Sequence, residues 1–211
     1  MEDEQLKPVL SYSSSKAINE NQLKKSGKNY VILRLGSVYG YSTDSMRIDI
    51  MPNFKPDLVW DLRKTPWPIE DNQFELVRAE NIIEHFPDTC AMMEEIWRIS
   101  KPGATIKIIV PHYTGYLSWS CPEHYKTFSS GTFKYFDKQF DTVSTKLNYF
   151  ACKRHKIISP FINFFLNLHF GVSDRFGSLV GGIAEVETVL KVKKDKNLDR
   201  DNLRVNRPAE K

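Results

Sequence analysis

Residues 74–112, FELVRAENIIEHFPDTCAMMEEIWRISKPGATIKIIVPH, read as strand, helix, turn and strand, and the rest of the chain is arranged around them. FELVRA is a short half-apolar run with Leu76 and Val77 at its centre, and the polar cluster PIEDNQ precedes it. From Asp88 to Ile99, apolar residues at Ala91, Met92, Ile96 and Ile99 keep helical spacing, which leaves Glu94, Glu95 and Arg98 facing outward. Asp88 is placed to cap that helix, and Lys101-Pro102-Gly103 to stop it. Ala104 to Val110, ATIKIIV, is the strongest strand signal in the chain and ends at Pro111-His112.

At 211 residues and 41% hydrophobic content, the chain can bury a sizeable core and fits one domain with or without an appendage. No window approaches the roughly 18 apolar residues of a membrane span, and MEDEQLKPV lacks a signal peptide's apolar centre. Cys90, Cys121 and Cys152 are scattered without a CxxC pair, which suits free thiols in a reducing cytoplasm better than a metal site. The net charge of +4 comes largely from KLNYFACKRHK and from the tail KVKKDKNLDRDNLRVNRPAEK. Both fit a solvated basic surface, or one that attracts anionic substrates or membrane head groups. No nucleic-acid partner is expected.

Downstream, Tyr113 to Phe136 is aromatic but too polar for a plain buried strand. Phe140 to Phe150 and Ile183 to Val192 alternate in part like strands. Between them, Ile157 to Phe170 (IISPFINFFLNLHF) is strongly apolar yet too short to cross a bilayer. It reads as a buried or homodimer-forming helix, with docking on a membrane surface as the alternative. The last residues, 193–211, read as a charged, disordered tail.

Three stretches in order, VWDLRKTPWPIEDNQFELV, ENIIEHF and EIWRISKPGATIKIIVPH, resemble the C-terminal half of the class I S-adenosylmethionine-dependent methyltransferases, especially their type 11 group. The resemblance covers about Pro56 to Lys191. It implies an α/β, Rossmann-like sheet, S-adenosylmethionine as cofactor, and methyl transfer to a small or sugar-like acceptor. Asp61 matches the position that accepts from the adenine amino group. Arg78, Ala79 and Glu80 match the strand end that lines the methionine part of the donor.

The opening resembles a different family, the extended short-chain dehydrogenases that include NAD-dependent nucleotide-sugar epimerases and dehydratases. That resemblance rests on YSSSK, Glu20 and LRLGSVYG. It implies catalytic Tyr12 and Lys16 with NAD as cofactor, and a polysaccharide-biosynthesis setting. Neither resemblance brings its glycine loop: only eleven residues precede Tyr12, and no GxGxG precedes Phe54. Asp49 in RIDIMPN is placed to mimic the acid that ends the methyltransferase's second strand.

The chain therefore divides into an epimerase-like αβ appendage at 1–50, a methyltransferase-like domain truncated at its N-terminus at 51–192, and the tail. YVILRL is expected to fill the edge left by missing strands. For the chemistry, His112 at a strand end is a candidate general base, with His85 and His124 as the other candidates. Glu84 and His85 fit a structural cap equally well. A metal site from His85, His112 and His124 is not demanded by their spacing. An inactive remnant or interaction module is the non-enzyme alternative, because both glycine loops are absent.

Overall fold

The computed structural model describes residues 30–33, 45–50, 58–149 and 159–194. They build one seven-stranded sheet in the order β3-β2-β1-β4-β5-β7-β6. The strands are β1 (Tyr30–Leu33), β2 (Ser45–Asp49), β3 (Leu58–Val59), β4 (Phe74–Glu80), β5 (Ser100–Pro111), β6 (Phe140–Asn148) and β7 (Glu185–Val192). Strands β1 to β5 pair in parallel, whereas β7 runs antiparallel between β5 and β6. Parallel strands covered on both faces read as near-continuous apolar runs. Accordingly Val31, Leu33, Val77, Ala79, Ile106 and Ile108 are fully buried.

The α/β, Rossmann-like expectation holds, and residues before 51 contribute two of the sheet's strands. Tyr30–Leu33 pairs with β2 on one side and β4 on the other, with Leu33 opposite Ala79. The first four residues of YVILRL, Tyr30–Leu33, therefore supply an internal strand, not a patch on an edge. The boundary expected at 50/51 falls inside the sheet. Its apolar character was legible; its place was not, because burial on both faces suits any internal slot of a parallel sheet. Tyr12, Lys16 and the expected tail beyond Lys194 lie outside the described residues.

Helix α1 spans Thr89–Ile99, and its N-cap Asp88 accepts a hydrogen bond from the Ala91 amide at 2.9 Å. Its end differs from expectation. Ser100 already belongs to β5, and the strand absorbs Lys101 to Ala104 as an irregularity, with Gly103 at φ +72°. Glu95 and Arg98, expected outside, are buried. Arg98 donates to Glu95 at 2.9 and 2.7 Å, to the Ile69 and Trp67 carbonyls at 2.6 and 2.9 Å, and to Asp71 at 2.7 Å. Glu95 also accepts from the Trp67 amide at 2.7 Å. The pair is a clamp that holds the long β3–β4 connection onto the helix.

A four-residue helix α2 (Leu117–Ser120) interrupts the segment after β5. The apolar stretch at 157–170 becomes α3 (Ser159–Leu168), followed after His169 by α4 (Phe170–Phe176). Phe161, Phe164, Phe165 and Leu168 are exposed on α3, so this helix is not buried all round. Among the described residues no helix is long and apolar enough to cross a membrane.

Candidate functional site

In an open α/β sheet, ligands bind beyond the carboxyl ends of the strands where the strand order reverses. Here that point lies between β1 and β4, because β2 and β3 extend to one side of β1 while β4 and β5 extend to the other. Asp49 is the last residue of β2, paired with Val59. Leu33 ends β1 and Glu80 ends β4. The sequence-derived candidates Asp49, Arg78, Ala79 and Glu80 thus share one end of the sheet.

Arg78 and Glu80 point to the same face of β4, two residues apart. They form a buried ion pair through Arg78 Nε and Nη2 and Glu80 Oε1. Arg78 is 1% exposed, and its Nη1 has no hydrogen-bond partner among the described residues. Ala79, on the opposite face, is fully buried in the core. Asp61 lies just past β3 and is closed on Arg63, at 2.8 Å to Nε and 3.0 Å to Nη2. The Arg63 guanidinium holds its carboxyl below the usual value. Arg63 is half-exposed, so this contact exchanges readily with solvent.

Beyond β4 a turn of 3-10 helix, Ile83–His85, carries Glu84 and His85. Glu84 is 1% exposed, and neither carboxyl oxygen has a hydrogen-bond partner among the described residues. Burial, with a smaller push from Glu185, raises its pKa to about 8, so the acid is neutral at pH 7. Its backbone carbonyl accepts from the Tyr125 and Lys126 amides at 2.8 and 3.4 Å. This ties the segment after β5 to the end of β4 and brings His124 against His85, ring centroids 4.6 Å apart in a T-shaped pair. Burial lowers the His85 pKa, and His124 nearby lowers it further.

His112 behaves differently. It is fully buried, with Nε2 2.9 Å from Asp174 and Nδ1 2.9 Å from the Thr114 hydroxyl. The Thr114 amide, which can only donate, also faces Nδ1 at 3.3 Å, so the ring proton sits on Nε2 toward Asp174. Burial lowers the His112 pKa despite the opposing pull of Asp174. Asp174 accepts in turn from the Ser130 hydroxyl at 2.7 Å, and Thr114 Oγ1 from the Ile183 amide at 3.0 Å. Both ring nitrogens are occupied in this structure. Close approach holds the same region: a Cβ on Gly115 would lie 2.3 Å from the Ile183 carbonyl oxygen. His85 and His124 are therefore brought together, and His112 is held in a network of its own.

Sequence reasoning missed Asp174, Cys121 and Glu185 as members of these clusters. Asp174 meets His112 across 62 residues, and nothing local announces such a pairing. A groove of about 330 Å3 lies between Pro87–Cys90 and the covering segment, lined by Lys126, Thr127, Phe128, Thr132 and Tyr135 among others.

Residues 26–108 match a family model described as a methyltransferase domain. That match takes in LRLGSVYG, the stretch that resembles the epimerases, and the sheet places its first residue, Leu33, at the end of β1. The dehydrogenase resemblance thereby loses its strand, and the polysaccharide setting inferred from it loses its support. No protein of curated function matches the sequence. Among solved structures, the chain is similar to an S-adenosylmethionine-dependent methyltransferase from Archaeoglobus fulgidus, at 17% identity and TM-score 0.55, covering 82% of this chain and 93% of that one. It is also similar to a protein from Galdieria sulphuraria provisionally described as a sarcosine dimethylglycine methyltransferase, at 13% identity and TM-score 0.54, covering 85% and 84%. A third is the [4+2]-cyclase SpnF, at 11% identity and TM-score 0.50, covering 83% and 81%. The fold is that of S-adenosylmethionine-dependent methyltransferases. The cyclase shows that this fold also hosts other chemistry.

Proposed function

We propose that the chain binds S-adenosylmethionine at the β1/β4 crevice and transfers its methyl group to a small or sugar-like acceptor. The observation that carries this reading is the buried Arg78–Glu80 pair at the end of β4, beside the point where the strand order reverses, with Arg78 Nη1 lacking a partner among the described residues. A parallel strand buried on both faces has no packing reason to hold an ion pair, and desolvating two charges is costly. A polar ligand at the crevice gives those groups a purpose.

The residues present fit such a donor. The Asp49 carboxylate at the end of β2 would accept from ribose hydroxyls. Asp61 would accept from the adenine amine by sharing an oxygen now held by Arg63. Arg78, Ala79 and Glu80 would line the methionine end. When bound, the cofactor supplies an electrophilic methyl group on a sulfonium. The chain's own part is then to hold the acceptor in line and take its proton. His85 and His124 stand on the acceptor side, and Lys126, Thr127 and Thr132 around the groove suit a small polar acceptor. His112, saturated by Asp174 and Thr114, anchors α4 to the end of β5.

The test is equilibrium binding of S-adenosylmethionine to the purified chain and to Asp49→Ala, followed by a labelled-methyl screen of small hydroxylated acceptors. The expected loss for Asp49→Ala is about 10-fold in affinity or more, the worth of a hydrogen bond to a charged group. Equal affinity in both would remove Asp49 from the site.

A further inference from the structure

We propose that His85, Cys121 and His124 form a binding site for a divalent transition cation of the zinc class. One donor atom from each lies within 4.8 Å of the others, and all three residues are partly buried. They come from separate pieces of backbone: His85 from the 3-10 turn after β4, Cys121 from the cap of α2, and His124 from the turn that follows. Tetrahedral zinc, with Zn–N of about 2.0–2.1 Å and Zn–S of about 2.3 Å, needs donors about 3.3–3.8 Å apart. Ring and thiol rotation of about an ångström closes that gap without moving the backbone.

Three further observations point to a cation. His124 Nδ1 lies 3.3 Å from the Ser118 carbonyl oxygen, which can only accept. The ring proton is therefore on Nδ1 and the Nε2 lone pair is left for a metal, the arrangement found behind most metal-bound histidines. His85 Nδ1 is buried without a hydrogen-bond partner among the described residues, so no protein donor competes for it. The hydrogen bonds from the Tyr125 and Lys126 amides to the Glu84 carbonyl fix the two histidine-bearing segments together beforehand, so little ordering remains to be done on binding.

The donor set, two imidazoles and one thiol, selects zinc and its neighbours over magnesium or calcium. Three protein donors leave a tetrahedral ion's fourth position for water or an acceptor oxygen. Binding ionises the Cys121 thiol and releases its proton to solvent. The ion staples the covering segment to the end of β4. The site does not depend on the methyl-donor reading, since none of its ligands is among the residues assigned to the donor. With an ion bound, His85 and His124 are its ligands, and its fourth position rather than a free imidazole faces the acceptor.

The test uses the full chain, stripped by chelator and titrated with cobalt(II), then with competing zinc. A thiolate-to-cobalt charge-transfer band is expected, displaced by zinc and lost in Cys121→Ser. His124→Ala should weaken cobalt binding at least about tenfold. Because those variants can fail to fold, the unaltered chain is also alkylated with and without zinc, and each cysteine is followed by peptide mapping. Zinc should slow modification of Cys121 far more than of Cys90. Absence of the band, its persistence in a folded Cys121→Ser, or equal alkylation of Cys121 with and without zinc would overturn the proposal. S-adenosylmethionine titrated into the same stripped sample reports separately on the other site.

Discussion

The carboxyl ends of β4 and β5 are neighbours in one sheet, and both bury ionisable side chains, yet they leave them in opposite states. At the end of β5, His112, Thr114, Ser130 and Asp174 answer one another, and each His112 ring nitrogen has a partner. At the end of β4, neither Glu84 carboxyl oxygen nor Arg78 Nη1 has a hydrogen-bond partner among the described residues. An unmet buried polar group costs about 1–3 kcal/mol, so a chain that retains several in one place pays for something other than folding. The β5 cluster is complete as it stands and serves to hold α4. On the proposed reading, the β4 cluster is completed by a ligand bound beside it.

The sharpest way to separate the two is pH. The Glu84 carboxyl is raised in the folded state from 4.5 to about 8, so its stabilising effect is full below pH 4.5 and is lost as pH rises toward 8. In chelator-treated protein that loss should be on the order of a few kcal/mol by urea denaturation, and Glu84→Gln should remove it. Parallel stability curves for the two proteins would mean that Glu84 is answered after all. His112 has the opposite sign. Its folded pKa is lowered, so its contribution is present above about pH 6.5 and is lost as pH falls.

Breaking the satisfied cluster should cost stability and little else. His112→Ala leaves Asp174 and Thr114 without their shared partner and opens a cavity, for about 3 kcal/mol in chemical denaturation. If His112→Ala instead kept its stability and lost methyl transfer, the histidine would be chemical and not structural. The smallest expected effect lies outside both clusters. Asp88→Ala removes the cap of α1 and should cost about 1 kcal/mol, with S-adenosylmethionine affinity unchanged.

Local signals were readable before the fold. Asp88 and the spacing of Met92, Ile96 and Ile99 mark α1, and the alternation in 140–148 and 185–192 marks the antiparallel β6–β7 pair. What escaped was tertiary. YVILRL carries no sign of which strands flank it, and its surroundings resemble another family, so sequence alone marks β1 as an appendage. Glu95 and Arg98 look like a solvated helix face until the β3–β4 connection folds back over them. Cys121 is an isolated thiol in the sequence and comes within 4.8 Å of His85 where the Tyr125 and Lys126 amides bind the Glu84 carbonyl. The histidines at 85, 112 and 124 were all legible as candidates, but not their sorting into one saturated and two available.

The central claim, that the β4 end is a ligand site, is tested most directly by calorimetric titration of S-adenosylmethionine into the chain and into the double replacement Arg78→Met, Glu80→Leu. Exchanging a buried ion pair for apolar residues of similar size is often neutral or stabilising, so the variant should remain folded. Micromolar binding to the unaltered chain, weakened at least about 10-fold in the variant, is the expected result. A folded, unaltered chain that gives no binding heat at any temperature tried would contradict it.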